Sequence, residues 1–245
     1  MFDAIIFDVD DTLYDQQQPF RNAVQKVFPH VQCSDMHSLY IRFRVHSDEN
    51  FNKVITGDWT LTYMRNYRIC RSLEELDYPA ISDQEALAFQ QVYEEELDAI
   101  VMHQEIRRTL DFLQKQQISL GIITNGPTDH QHKKIMQLDL LNWVHPDHVI
   151  ISQATGYEKP DKEIFKLAEK QFGLIPERTL YVGDNFDNDV AGSKSAGWKA
   201  LWFNHRQRKL AKETLPIHDL EITSFEELLP AIKGLVQTKE FLCNA

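Results

Sequence analysis

Five short apolar segments recur along this chain, and they constrain its fold more than any other feature. They are AIIF at residues 4–7, LGIIT from Leu120, HVIIS from His148, TLYVG from Thr179 and KALWF from Lys199. Continuous apolar runs of this length, rich in Ile, Val and aromatic residues, are typical of strands buried on both faces of a parallel sheet. They therefore predict the strands of an α/β fold.

Segments with helical periodicity lie between these apolar runs. We predict core helices over residues 128–141, 162–172 and 187–196, a helix over 104–117 and a last helix from Ser224. Strands that alternate with helices favour right-handed βαβ crossovers. The fold class predicted from the pattern is α/β, with a doubly wound, Rossmann-like parallel sheet.

Residues 15–98 break this alternation. Apolar side chains there recur at three- and four-residue intervals, as at Leu39 and Phe43 and again at Met64 and Tyr67, which is the pattern of packed amphipathic helices. No run in this stretch resembles a buried strand. We therefore predict an all-helical domain over residues 15–98, inserted into an α/β core of residues 1–14 and 99–245.

The charge balance limits the partners of the chain. Its 26 Lys and Arg face 37 Asp and Glu, so the formal net charge is -11, which disfavours long-range attraction to a nucleic acid polymer or an anionic membrane. No segment has the length of a membrane span, and the amino terminus lacks the pattern of a secretory signal. Three scattered cysteines, Cys33, Cys70 and Cys243, fit free thiols. We expect a cytoplasmic protein, a monomer or weak dimer.

Polar residues follow several of the predicted strands. In open α/β sheets, ligands bind beyond the carboxyl ends of the strands, so these residues are the candidates for chemistry. They are Asp8, Asp10, Asp11 and Thr12 after the first run, Thr124, Asn125 and Gly126 after the second, Lys159 before the helix at 162, and Asp184, Asp187 and Asp189 after the run from Thr179.

Asp8 and Asp10 are separated by one residue, so their carboxylates would repel each other unless a cation or a proton intervenes. Mg²⁺ is the simplest cation here, because it takes oxygen ligands from one or two carboxylates together with a substrate phosphate. Asp184, at the end of another strand, could complete such a site. A solvated strand-to-loop turn is the alternative interpretation of a lone DxD sequence.

Two further patterns are typical of phosphate binding. Thr124 can donate a hydroxyl hydrogen bond, and Gly126 allows backbone N–H groups to approach an anion. Lys159 precedes Pro160, which places it outside the following helix and free to act as a fixed cation. Each pattern also has an ordinary interpretation, since TNG is a turn sequence and most lysines are solvated surface charges.

Three nucleotide or calcium motifs do not fit the sequence. A calcium loop counted from Asp187 would place Ala191 and Trp198 where an oxygen donor and a glutamate are needed. The chain has no GxGxxG, and the glycine spacing of 192–197 continues with Trp198 instead of the lysine of a phosphate-binding loop. The fingerprints of these nucleotide-binding folds are therefore absent.

Taken together and in order, DVDDT, TNG, EKPD and GDNFDND resemble the motifs of the haloacid dehalogenase superfamily. In that family a helical cap is inserted between the first and second motifs, which matches the break at 15–98. The sequence FDVDDTLYD and the GxxKPD element most resemble the phosphatase branch, with its nucleotidase and flavin mononucleotide phosphatase members.

The resemblance implies the following catalytic roles. Asp8 would be the nucleophile that forms an aspartyl-phosphate, and Asp10 would act first as general acid and then as general base. Lys159 would neutralise charge between Asp8 and the phosphoryl group, while Thr124 and the backbone N–H of Asn125 would bind the phosphate oxygens.

The resemblance also implies a Mg²⁺ site. Asp8 and Asp184 would be carboxylate ligands, and Asp10 would contribute its backbone carbonyl. Asp189 would support the metal site or hold Lys159 in place.

The predicted function is Mg²⁺-dependent hydrolysis of a small phosphorylated metabolite, for which a nucleoside monophosphate is our first candidate. Asp10 disfavours dehalogenation, because a halide leaving group needs no proton. Three alternatives stay open: a phosphomutase that uses the same intermediate, a non-catalytic binding protein with this fold, and a signalling receiver. The receiver is the least consistent, because such modules are about half this length and lack an inserted helical domain.

Three other patterns have an ordinary interpretation as surface or packing features. His130 and His132 are two residues apart on a predicted helix and make a poor chelating pair, so we interpret these and the pair His145 and His148 as surface residues. The aromatic residues at 59, 63 and 67 favour packing within the helical domain over stacking on a substrate. A net charge of +3 over residues 36–71 is equally consistent with substrate capture and with a solvated helix face.

Overall fold

The computed structural model of the chain describes residues 2–237, and Cys243 lies outside this range. The chain forms two compact units, one of Gln16–Ile100 and one built from the segments on either side of it. No helix within residues 2–237 is both long enough and apolar enough to cross a membrane.

A six-stranded parallel sheet forms the centre of the second unit. Its strands are β1 (Ala4–Phe7), β2 (Ser119–Thr124), β3 (Val149–Ile151), β4 (Thr179–Gly183), β5 (Lys199–Phe203) and β6 (Leu220–Ile222), in the spatial order β3-β2-β1-β4-β5-β6. The register places Ile5 opposite Leu120 on one side and opposite Leu180 on the other. The predicted α/β fold with a doubly wound parallel sheet is confirmed.

Helices cover this sheet and connect its strands. They are α5 (Gln104–Lys115), α6 (Thr128–Gln137), α7 (Ser152–Thr155), α8 (Lys162–Phe172), α9 (Gly192–Ser195) and α10 (Phe225–Gln237). The central strand β1 is buried along its whole length, as its continuous apolar sequence predicted. On one face, Ile6 and Ile123 pack with Phe165, Tyr181 and Trp198 in a single apolar cluster.

Two predicted helices differ from the observed ones. The helix predicted over 128–141 ends at Gln137 because Asp139 adopts a left-handed conformation with φ 53°, and a 3-10 turn follows. The helix predicted over 187–196 begins as a π-helix, Phe186–Ala191, in which Val190 N–H donates to the carbonyl of Asn185 five residues earlier. Periodicity alone does not reveal either change.

The unit of Gln16–Ile100 contains the helices α1 (Gln17–Val27), α2 (Met36–Ile55), α3 (Leu61–Glu74) and α4 (Asp83–Leu97), and no strand within the described residues. Ser82 and Glu85 form a capping box that fixes the start of α4. The core of this unit is aromatic, with Phe20 in contact with Phe43 and Phe89 at ring-centroid distances of 4.8 and 5.7 Å. Such packing gives the unit an apolar core of its own.

One backbone hydrogen bond joins the two segments of the α/β unit at the point where the helical segment leaves it. The backbone N–H of His103 donates to the carbonyl of Leu13 at 3.2 Å. Leu13 precedes the helical segment and His103 follows it, so the two ends of this segment are fixed at one place in the α/β unit.

Candidate active site

The predicted site residues meet at the carboxyl ends of three neighbouring strands. Asp8 follows β1, Thr124 ends β2 and Asp184 follows β4, and β1 lies between the other two strands. Asp8, Thr124 and Asp184 are buried. The parallel topology thus brings residues from distant parts of the sequence to one edge of the sheet.

Lys159 lies at the centre of this site, with 4% of its surface exposed. Its ammonium donates to Asp8 Oδ1 at 2.7 Å and to Asp189 Oδ1 at 2.6 Å. It also donates to the Tyr181 hydroxyl at 2.9 Å, and that hydroxyl donates to the carbonyl of Ile123. Burial acts to lower the pKa of Lys159, but the charges of Asp189 and Asp8 outweigh it and hold the pKa well above its usual value.

Three carboxylates are close enough to share one cation. Ligand oxygens of Asp8, Asp184 and Asp189 all lie within 4.8 Å of one another. Burial raises the pKa of Asp8 to about 7, although Lys159 acts in the opposite direction. Burial, together with the charges of Asp189 and Asp8, also raises the pKa of Asp184 well above its ordinary value. Burial therefore disfavours the charged forms of these carboxylates, and a hard divalent cation would stabilise them.

Within this cluster, Asp184 and Asp189 have different environments. Both oxygens of Asp189 accept a hydrogen bond, Oδ1 from Lys159 and Oδ2 from the backbone N–H of Asn185 at 2.9 Å. Asp184 Oδ2 instead accepts from the guanidinium of Arg208 at 2.6 Å, and Arg208 is 45% exposed. All of the donor atoms are oxygens, which fits Mg²⁺. Asp184 can exchange its contact with Arg208 for a cation more readily than Asp189 can exchange its two contacts.

Gly183 makes the close approach of Asp189 possible. A Cβ atom at this position would lie 2.3 Å from Asp189 Oδ2 and 2.4 Å from its Cγ. Only glycine leaves space for that carboxylate against the end of β4.

The carboxylate of Asp10 belongs to a separate group of side chains. Lys134 donates to both of its oxygens at 2.7 Å, Gln131 donates to Oδ2 at 2.9 Å, and the Tyr14 hydroxyl donates to Oδ1 at 2.5 Å. Burial acts to raise the pKa of Asp10, but the Lys134 charge and these hydrogen bonds outweigh it and lower the pKa. The Asp10 side chain is not part of the three-carboxylate group.

Asn125 links the end of β2 to the loop that carries Lys159. Its side-chain amide donates to the carbonyl of Lys159 at 2.8 Å, and its Oδ1 accepts from the Lys159 N–H at 2.9 Å. Next to it, Gly126 N–H donates to the Ser152 hydroxyl at 3.0 Å. Thr124 lies beside this loop with 1% of its surface exposed. The predicted phosphate-binding residues therefore lie together with Lys159.

Sequence reasoning missed four cationic or amide side chains at this edge of the sheet. Gln131 and Lys134 contact Asp10, Arg208 contacts Asp184, and Arg206 bridges Asp11 and Asp15. These residues lie on a helix and a loop whose sequences resemble ordinary solvent-facing segments. Only the contacts in the folded chain identify them.

Other residues singled out in the sequence lie outside this group. His130 and His132 are exposed on α6, while His145 and His148 contact each other at a ring-centroid distance of 5.8 Å. In the helical unit, the side chains of Trp59, Tyr63 and Tyr67 contact one another at ring-centroid distances of 4.8 to 6.4 Å. Cys33 and Cys70 are free thiols.

Comparison with known proteins defines the class of this fold and site. Residues 2–197 match the model of the haloacid dehalogenase-like hydrolase family. The chain belongs to this family, and the predicted family membership and hydrolase class are confirmed.

Individual relatives agree with this assignment. The chain is 37% identical over 128 residues to the glyceraldehyde 3-phosphate phosphatase of Pyrococcus furiosus, a match that spans 52% of each chain. It is 32% identical to the phosphoserine phosphatase of Thermus thermophilus, over 53% of this chain and 51% of that one. These matches span about half the length of both relatives.

A relative matched over nearly its full length is the HAD-hydrolase YfnB of Bacillus subtilis. It is 28% identical, over 92% of this chain and 93% of its own. Its crystal structure, solved bound to magnesium, superposes with a TM-score of 0.64 at 25% identity, over 94% of this chain and 98% of that one.

Proposed function

We propose that this chain is a Mg²⁺-dependent phosphomonoester hydrolase that acts through an aspartyl-phosphate on Asp8. The observation that carries the proposal is the position of Lys159, which lies between Asp8 and Asp189 beside a third carboxylate, Asp184. An anionic nucleophile can attack an anionic phosphate only where positive charge offsets their repulsion, and this arrangement supplies it.

The first step forms the intermediate. A carboxylate oxygen of Asp8 bonds to phosphorus, and the bond from phosphorus to the leaving oxygen breaks. Asp10 donates a proton to that oxygen, so an alcohol departs instead of an alkoxide. Lys159 lowers the repulsion between Asp8 and the phosphoryl group, and Thr124 with the Asn125 N–H binds the phosphoryl oxygens.

The second step releases phosphate. A water molecule gives its proton to the Asp10 carboxylate while its oxygen bonds to phosphorus, and the bond from phosphorus to Asp8 breaks. Asp8 and Asp184, with the backbone carbonyl of Asp10, are the residues that would hold Mg²⁺. When bound, Mg²⁺ would neutralise charge on the carboxylates and on the phosphoryl oxygens. Asp189 serves mainly to hold Lys159, since both of its oxygens are engaged.

The substrate we propose is a small phosphorylated metabolite. The names of the relatives from Pyrococcus furiosus and Thermus thermophilus, which refer to glyceraldehyde 3-phosphate and phosphoserine, favour three-carbon phosphate esters alongside our first candidate, a nucleoside monophosphate. We assign selectivity to the helical unit, Gln16–Ile100, as the cap. Free thiols at Cys33 and Cys70 support a cytoplasmic location.

A hydrolysis screen tests this proposal. Purified protein with Mg²⁺ is offered glyceraldehyde 3-phosphate, phosphoserine, nucleoside monophosphates, flavin mononucleotide and sugar phosphates, and released phosphate is measured. We expect turnover of at least one compound that stops with excess chelator. Glucose 1-phosphate in the same screen separates a mutase, because it would yield glucose 6-phosphate without free phosphate.

The nucleophile is tested by Asp8→Asn, which is nearly isosteric but leaves no good nucleophile. We expect less than a hundredth of the wild-type rate with an unchanged circular dichroism spectrum. Asp147→Asn is the matched control, because its side chain is 84% exposed, and it should keep the wild-type rate. A rate for Asp8→Asn close to that of the control would disprove the proposed mechanism.

A further inference from the structure

The Asp10 carboxylate accepts four hydrogen bonds from the chain itself. Oδ1 accepts from Lys134 and Tyr14, and Oδ2 accepts from Lys134 and Gln131. These four contacts hold the Asp10 side chain in one orientation. Among residues 2–237, Lys134 provides its one ion pair.

Lys134 and Gln131 approach Asp10 from the same helix. They are three residues apart on α6, so their side chains lie on one face. Gln131 is 3% exposed and also donates to the carbonyl of Asn125 at 3.0 Å, which fixes α6 against the end of β2. A Cβ at Gly126 would lie 2.8 Å from Gln131 Nε2, so this glycine leaves space for the contact.

The two contacts on Asp10 differ in accessibility. The side chains of Lys134 and Asp10 are 19% and 21% exposed, whereas Gln131 is almost fully buried. Gln131 and Tyr14 can therefore fix the carboxylate from inside the protein, while the less buried Lys134 contacts it on a side that solvent can reach. The ion pair is therefore the contact on Asp10 that water can approach.

We propose that Lys134 is a positioning residue for the second step of the reaction, the hydrolysis of the aspartyl-phosphate. This inference rests on the proposed function. In that step the water proton moves to Asp10, the water oxygen bonds to phosphorus, and the bond from phosphorus to Asp8 breaks. Lys134 neither gives nor takes a proton. Its ammonium holds both oxygens of Asp10 so that the carboxylate faces the water when the bond forms.

Steady-state kinetics can separate this role from a general structural one. When a reaction proceeds through a covalent intermediate, slowing only its breakdown lowers kcat and KM in the same proportion and leaves kcat/KM unchanged. A residue that merely supports the fold would lower kcat/KM as well. The substrate for this test is a nitro-substituted aryl phosphate, because its phenolate leaves without a proton and can be followed by absorbance.

The variants are Lys134→Met, which removes the charge but keeps the stem, and Lys134→Arg, which keeps the charge. For Lys134→Met we expect kcat and KM to fall at least tenfold together, with a burst of phenolate that approaches one equivalent of enzyme. Lys134→Arg should recover kcat to within about threefold of wild type. Lys166→Met is the matched control, because Lys166 pairs with Glu163 on the exposed surface of α8, and it should behave as wild type.

Each outcome decides the proposal. Wild-type kinetics for Lys134→Met, or an equal loss in kcat and kcat/KM without a burst, would overturn it. If Lys134→Met does not fold, Lys134→Gln is read in the same way, since it keeps an N–H donor without the charge. Failure of the wild type to hydrolyse the ester, or full activity of Asp8→Asn, would instead refute the proposed function itself.

Discussion

The Nζ atom of Lys159 lies 2.7 Å from Oδ1 of Asp8, although 151 residues separate the two in the sequence. The same ammonium contacts Asp189, so one buried cation holds two buried carboxylates. Removal of one member of such a group leaves the others unpaired away from water, which costs more than the group contributes when intact. The contact therefore links the stability of the site to its chemistry.

Lys159→Met should lower both the stability and the activity of the protein. We expect kcat/KM to fall at least about 100-fold, the size typical of losing one group that stabilises transition-state charge. The free energy of unfolding should fall by about 3–5 kcal/mol, because Asp8 and Asp189 lose their shared cation. Steady-state assays and urea unfolding measure the two effects. Lys162→Met, at an exposed position at the start of α8, is the control, and a similar loss there would contradict the prediction.

Gly183→Ala should destabilise the site through a steric clash alone. The new methyl group would lie 2.3 Å from Asp189 Oδ2, so Asp189 has to move away from Lys159. We expect a cost of about 1–3 kcal/mol in urea unfolding, as for other overpacked positions, and at least a tenfold loss of activity. Gly234→Ala on α10 is the matched control: apart from adjacent residues and the backbone of its own helix, no atom of the described residues lies within 4 Å of its Cβ position, and alanine should stabilise that helix by up to about 1 kcal/mol.

The contribution of Asp8 to the stability of the metal-free protein should fall as the pH rises from about 4 to about 7. Burial raises the pKa of Asp8 to about 7 in the folded state from the ordinary aspartate value of 3.8. The folded protein therefore binds a proton more tightly than the unfolded chain, and this advantage is lost as the pH passes through the folded pKa. Relative to those of Asp8→Asn, the melting temperatures of the wild type with chelator should fall across this range. Saturating Mg²⁺ should flatten the decrease, and an identical slope with and without the cation would argue against binding at Asp8.

Arg208 and a divalent cation should compete for Asp184. The guanidinium of Arg208 contacts Asp184 Oδ2, but it is 45% exposed, so the contribution of this pair is modest. We expect Arg208→Gln to tighten Mg²⁺ binding by about two- to fivefold in calorimetric titrations, the range that such a pair supports. Arg178→Gln, which breaks an exposed pair with Asp3, should leave the affinity unchanged. Weaker binding by Arg208→Gln would mean that the guanidinium supports the cation.

The strands were predictable from the sequence because burial on both faces leaves a continuous apolar run. All five predicted strands are present, but β6 was missed. Its three residues, Leu220–Ile222, include the exposed Glu221 and lie at the edge of the sheet, so no such run exists there. An edge strand of this length has too little buried surface to leave a pattern.

The site was predictable where it follows a strand or belongs to one of the four motifs. Asp8, Thr124 and Asp184 could be proposed because the carboxyl ends of parallel strands meet at one edge. Lys134 and Gln131 could not, since 124 and 121 residues separate them from Asp10 and their helix, TDHQHKKIMQ, has the polar sequence of a solvent-facing segment. Contacts between distant polar side chains leave no periodic signal in the sequence.

The hydrogen bond from His103 N–H to the Leu13 carbonyl has a consequence for how this chain tolerates change in length. It fixes both ends of the Gln16–Ile100 segment in the α/β unit, so the segment is a closed loop in the sense of polymer physics. The entropy of closing a loop depends only on the logarithm of its length. Insertions or deletions of whole helices within this loop would therefore change the closure entropy little, and the sheet that carries Asp8 would not have to change its register.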